Sequence, residues 1–192
     1  MWSVESWLQR VASVHTISIA PEYAFDPTTS VQFEFTRARE RSTATTDQQA
    51  EVELKHLLNH IARDGYGWGI VASIQFDKAQ ASGWRGGGVA IKLPFTLALW
   101  DGAGALHFNA GVAKPRDARR ELTWSTAIER QVIKRTTLFA EVARAGDATL
   151  LHAGVRWWLK KEKFAVDLAA QRLRAPASRD SGWVMGLGWY DL

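Results

Sequence analysis

The sequence predicts an all-β protein, a transmembrane up-and-down antiparallel β-barrel of twelve strands, on three observations. Apolar residues recur with a period of two in twelve short segments, glutamates and basic residues fill the opposite positions, and many of the ten tryptophans fall near segment ends. A strand in contact with lipid needs only every other residue apolar, so a chain of this kind shows no long hydrophobic run. No run here approaches the roughly 18 apolar residues of a membrane helix.

Residues 2–11 open the series, with Trp2 at one end and Glu5 on the polar face. Segment 15–25 carries Glu22 on that face and Pro21, which removes a ladder donor and predicts a bulge or a strand end. Segment 30–40 sets Val31, Phe33 and Phe35 against Gln32, Glu34 and Thr36, and Glu40 closes its polar face. Arg37 and Arg39 continue the apolar parity, so this end of the strand is expected at the headgroups, where long basic side chains extend into water.

Segment 50–61 alternates Val52, Leu54, His56 and Leu58 with Glu51, Glu53 and Lys55. The leucines and histidines of 51–63 also fit a helix, but an even strand count favours a strand. Segment 67–78 precedes 85–99, which sets Val89, Ile91, Leu93, Phe95 and Leu97 against Lys92 and Thr96. Pro94 predicts the same irregularity as Pro21. Segments 104–113, 121–132 and 135–144 contribute Glu121, Glu129, Arg135 and Glu141 to the polar face, and 149–160 sets Leu151, Ala153, Val155, Trp157 and Leu159 against His152, Arg156 and Lys160. Segments 163–173, with Asp167, and 182–191 complete the twelve. Gly182, Gly186 and Gly188 share one face of the last, where a missing side chain lets the wall curve or a bulky residue lie across it.

The connections divide into two sets. With both termini on the periplasmic side, the even-numbered connections are expected to be tight turns and the odd-numbered ones longer: Arg41 to Gln49, Ala79 to Trp84, Lys114 to Arg120 and Ala175 to Ser181, with 13–14 and 145–148 short exceptions. Gly86-Gly87-Gly88 lacks the lysine-serine pair and the strand-loop-helix context of a phosphate-cradling loop.

Length suits one domain over 1–192, at about 16 residues per strand with its connection. Without cysteine there is neither a disulfide framework nor a thiolate metal site. The chain opens Met1-Trp2-Ser3-Val4-Glu5, so any secretory signal is expected to have been removed. A net charge of +4 is dispersed among 20 acidic residues, and its one dense cluster, 114–120, lies in a connection; nucleic acid is not expected as a partner.

With the apolar face outward, Glu5, Glu22, Glu34, Glu40, Glu53, Lys55, Lys92, Glu121, Glu129, Arg135, Glu141, Arg156, Lys160 and Asp167 are expected to line a lumen. So many charges need water or one another, and opposed strips of carboxylates and cations would set a field across a polar channel. No enzymatic activity is expected: no motif joins a histidine, a hydroxyl and an orienting group, and His107 with Asn109 fits lumen filling. No metal or cofactor is expected either, since His56 and His60 would lie about 13 Å apart in a strand.

The run Leu151 through Gly154-Val155-Arg156-Trp157-Trp158-Leu159, the strand Phe164-Ala165-Val166-Asp167-Leu168 and the end Gly182-Trp183-Val184-Met185-Gly186-Leu187-Gly188-Trp189-Tyr190 resemble the ends of Gram-negative outer-membrane barrels. More narrowly, they resemble the transporter-like barrels of the MetA pathway of phenol degradation. The resemblance implies a bacterial outer-membrane location, contact with membrane lipid and lipopolysaccharide, insertion by the barrel assembly machinery and passage of a small-molecule solute. It departs from the usual assembly signal at Trp189-Tyr190-Asp191-Leu192, where Tyr190 and Leu192 share the glycine face. The expected function is passive passage of small solutes through a porin-like channel, with an occluded structural or adhesive barrel, or a membrane-embedded hydrolase, as the alternatives.

Overall fold

The computed structural model describes residues 1–79 and 83–191. Twelve strands follow in chain order: β1 (Trp2–Val11), β2 (Val14–Ala24), β3 (Thr29–Glu40), β4 (Thr45–Leu57), β5 (Tyr66–Lys78), β6 (Arg85–Leu99), β7 (Gly104–Pro115), β8 (Glu121–Ile133), β9 (Thr136–Ala145), β10 (Ala148–Lys160), β11 (Phe164–Ala175) and β12 (Ser178–Asp191). Each pairs antiparallel with its neighbours in sequence, and β12 returns to pair with β1 from Trp2↔Asp191 to Val11↔Gly182. The sheet closes on itself and leaves no edge strand.

A period of two puts alternate side chains on opposite faces, and the two faces differ as the sequence predicts. Outward positions are large and apolar, among them Ile17, Phe33, Ile91 at 59% exposure, Leu138 and Leu168 at 57%. Inward positions are mostly polar or small, with a few aromatic exceptions such as Trp7, Phe139 and Trp158. No helix is long and apolar enough to cross a membrane; the strands do the crossing. Trp2, Trp68, Trp100, Trp157 and Trp189 lie outward toward the rim that holds the termini, and Trp84, Trp124 and Trp183 toward the other. Those are the two interfacial girdles of a membrane barrel.

Three expectations fail. The fourth strand runs 45–57 rather than 50–61, because Ile61–Asp64 form one helical turn closed by Gly65 at φ 76°. Earlier starts and later ends of the strands erase the expected difference in connection length: 41–44 and 176–177 are short, and the longest fully described connection, 58–65, lies on the supposed tight-turn side. Connection 79–84 contains residues outside those described.

The prolines are the third. Pro21 sits opposite Val4, and pairing with β3 lapses beside it between Ile19↔Phe35 and Glu22↔Gln32, yet the register is the same on both sides. Pro94 does likewise between Trp68↔Phe95 and Val71↔Lys92. A missing N–H is accommodated by a gap in one ladder, not by an inserted residue. The register shifts fall elsewhere: where Gln75 and Phe76 meet the glycine run of β6, between Gln131 and Ile133, and between Trp158 and Lys160. Glycine is required at the first, since a Cβ on Gly88 would come within 2.8 Å of the Lys114 carbonyl oxygen.

Candidate functional site: the barrel interior

Two walls form the interior. On β2 to β6, Lys55 Nζ lies 2.9 Å from Glu22 Oε2, 2.5 Å from Gln32 Oε1 and 4.0 Å from Glu53 Oε2. Lys92 Nζ reaches the other Glu53 oxygen at 2.9 Å. Glu34 accepts a hydrogen bond from Thr36, and Glu51 one from Gln75 Nε2 at 2.9 Å. The two ammonium groups thus pair with two of these four carboxylates, Glu22 and Glu53, while Glu34 and Glu51 make no ion pair with the described residues.

The wall built by β10, β11, β12 and β1 is organised differently. Arg156 donates two parallel hydrogen bonds to Asp167, at 2.8 and 2.7 Å, and its guanidinium stands 5.7 Å from the centre of the Trp158 ring. Trp158 packs against Tyr190, whose hydroxyl donates to Glu5. The glycine face of β12 makes room for this cluster. A Cβ on Gly188 would lie 2.6 Å from Tyr190 Oη, and one on Gly186 3.2 Å from both Trp7 and Asp167. Tyr190 therefore does point inward with the glycines, and Trp189 is the aromatic residue turned to lipid. Leu192 lies outside the described residues.

Between the walls, His107 Nε2 is 3.6 Å from Glu129 and His152 Nδ1 3.7 Å from Glu141, while Asn109 donates to Ser125 at 2.9 Å. A cavity of about 630 Å³ is bounded by Glu53, Lys55 and Lys92 on one side and Asn109, Ser125 and Glu141 on the other. Glu51 Oε1, Ser73 Oγ, His152 Nε2 and Gln171 Nε2 are enclosed by the barrel without a partner among the described residues. Polar atoms in that position need water, so the interior is wet.

Of the fourteen residues expected on the polar face, ten fall on these interior contacts: Glu5, Glu22, Glu34, Glu53, Lys55, Lys92, Glu129, Glu141, Arg156 and Asp167. The other four sit at strand ends. Glu40 is held by the backbone N–H and hydroxyl of Ser42, and Glu121 lies beside Gly146. Arg135 falls in the turn before β9, where it is exposed and 3.5 Å from the Leu159 carbonyl, and Lys160 ends β10 beyond the register shift. Five interior residues are missing from that set: Asp77, Trp7 and Trp158, which the sequence reading passes over, and Glu51 and Tyr190, which it places on the polar and glycine faces without assigning them to the lumen. Parity alone would have found them, since each shares it with an inward neighbour such as Glu53, Gln75, Glu5, Arg156 or Gly188.

Among the described residues no three histidines or carboxylates are grouped to hold a metal ion. A family model described as "Uncharacterised conserved protein UCP029691" matches residues 2–186. No curated protein matches the sequence. Among solved structures, the KdgM porin superposes with a TM-score of 0.76 at 11% identity, covering 99% of both chains. The NanC porin gives 0.70 at 6%, covering all of both, and LpxR from Salmonella typhimurium 0.62 at 8%, covering 98% of this chain and 99% of that one. At such identities the likeness is one of fold, that of twelve-stranded outer-membrane porins, and nothing ties the chain to the MetA-pathway barrels. A closed barrel with this exterior is an outer-membrane protein.

Proposed function

We infer that this chain, which belongs to the UCP029691 family of conserved proteins, is a passive channel for small solutes that favours cationic or neutral over anionic ones. The observation that carries the reading is the wet cavity bounded by Glu53, Lys55, Lys92 and Glu141. Carboxylates outnumber cations along this interior, with Glu34 and Glu51 outside every ion pair among the described residues, which supports a negative field inside. One KdgM structure holds a disordered oligogalacturonate. An acidic oligosaccharide of that kind suits the present interior poorly, because each carboxylate it brought would meet others already there.

The interior contacts of Glu5, Glu22, Glu53, Lys55, Lys92, Glu129, Glu141, Arg156 and Asp167 support their assignment to the lumen wall. Contact with membrane lipid and lipopolysaccharide and insertion by the barrel assembly machinery belong to the same reading. A second reading has its own observation. The Trp7, Trp158 and Tyr190 cluster with the Arg156–Asp167 pair narrows one side of the interior near the rim that holds the termini, and would suit an occluded structural barrel. Planar-bilayer recording separates the two. Stepwise current with a reversal potential favouring cations in a salt gradient supports the channel, and a folded, electrically silent barrel refutes it.

A further inference from the structure

We propose that the outward face of β11, β12, β1, β2 and β3, near the rim away from the termini, binds the phosphate groups of a diphosphorylated glycolipid, the lipid anchor of lipopolysaccharide. Charge is sorted across the wall of this barrel. Among the described strand residues, the carboxylates have inward parity except Asp191 at the end of β12. Most strand arginines do the reverse: Arg156, paired with Asp167, and Arg85, opposite Asp77 at the end of β5, are the two with inward parity among the described strand residues.

The outward arginines are not spread evenly. Arg172 and Arg174 end β11, Arg179 faces Arg174 from β12, Arg10 faces Trp183 and His15, and Arg37 and Arg39 end β3 with Arg39 opposite His15. Because β12 pairs with β1, these six arginines form one continuous surface across the closing seam. All are exposed, and none forms an ion pair with the described residues.

Both rims carry tryptophans, but the outward strand arginine at the rim that holds the termini, Arg130, is spent over the Trp100 ring at 4.9 Å. A guanidinium on a lipid-facing wall is tolerable only where it reaches an anion or water, and its planar fork matches phosphate in two parallel hydrogen bonds. A cluster of outward strand arginines at one rim and not at the other fits a membrane whose two leaflets differ, with the arginines in the leaflet dense in phosphate. The surface thereby also orients the barrel, a task its connection lengths do not perform. The proposal rests on the outer-membrane placement and not on whether the interior conducts.

Native mass spectrometry of the detergent-solubilised, lipid-free barrel tests it, with three probes: the diphosphorylated glycolipid, its dephosphorylated counterpart and phosphatidylglycerol. Saturable binding of the first, at least about tenfold tighter than of either other, is the expected result. Arg37→Gln with Arg39→Gln, and separately Arg172→Gln with Arg174→Gln, should each weaken it about tenfold or more while Arg130→Gln leaves it unchanged. Equal affinity for phosphatidylglycerol, or indifference to removal of the phosphates, overturns the proposal. Both of those measurements use the unaltered protein and so stand even where a variant fails to fold. Conductance of the same preparations reports on the channel reading separately.

Discussion

The two interior walls solve one problem, the accommodation of charge inside a barrel, in opposite ways. On β2 to β6 the carboxylates exceed the ammonium groups, the ion pairs are single contacts, and Glu34 and Glu51 depend on neutral donors and water. On β10 to β1, Arg156 and Asp167 meet in a planar, two-bonded pair, Glu5 accepts from the Tyr190 hydroxyl, and aromatic rings pack around them. A wall open to water can leave carboxylates to neutral donors and solvent; a wall packed with aromatic rings gives each of its carboxylates a fixed donor, the Arg156 guanidinium for Asp167 and the Tyr190 hydroxyl for Glu5. The difference teaches that pairing geometry, more than charge number, separates the part of a lumen that holds shape from the part that sets its field.

Removing the cation from each wall breaks this comparison most directly. Arg156→Met should cost about 2–3 kcal/mol in folding stability in detergent or lipid, since Asp167 is left beside indole rings. Lys55→Met should cost about 1 kcal/mol or less, because Glu22 keeps its bond from Ser30 and meets water. Equal losses would show that the walls do not differ. Outside both walls, Ile91→Arg should cost about 2–4 kcal/mol if Ile91 lies near the bilayer midplane, measured by the same denaturant titration.

Gly188→Leu sharpens the comparison in another way. The new side chain must displace Tyr190, so the bond to Glu5 and the packing against Trp158 are lost, and single-channel conductance should change while the β2 to β6 wall keeps its charge preference. The smallest change in stability, and the largest in selectivity, is expected of Glu34→Gln with Glu51→Gln. Folding should hold within about 1 kcal/mol, and the reversal potential in a salt gradient should move toward anions. A double variant with unaltered selectivity would assign the field to other residues.

Much of this was readable in the chain, for a physical reason. Parity along a strand follows from the pleat, so Phe33, Phe35 and Ile91 against Glu34 and Lys92 fixed which face meets lipid before any fold was known. Arg37 and Arg39, exceptions to the alternation, pointed to the headgroup end of β3. What parity cannot supply is relation between strands. The pairing of Arg156 with Asp167, the reach of Lys92 to Glu53 across two strands, and the meeting of Tyr190 with Glu5 depend on registers set only when the sheet closes. Strand ends were poorly legible for a related cause: Thr45 to Gln49 and Ser178 to Ser181 are polar, and they extend their strands because a neighbour offers ladder partners.

The seam between β1 and β12 bears on how the protein comes into being. β2 to β11 pair only with strands beside them in the chain, whereas β1 waits for residues 182–191. Until the last strand is synthesised the first has a bare edge, and a chain shortened by that one strand has two of them, with a sheet of eleven strands and no inside. Such a chain gains little of the native stability in proportion to its length, since a wet polar lumen exists only once the wall is whole. Completion, membrane entry and the appearance of an interior are therefore expected to be one late event, and a deletion of 182–191 should yield an aggregating or degraded product rather than a smaller barrel.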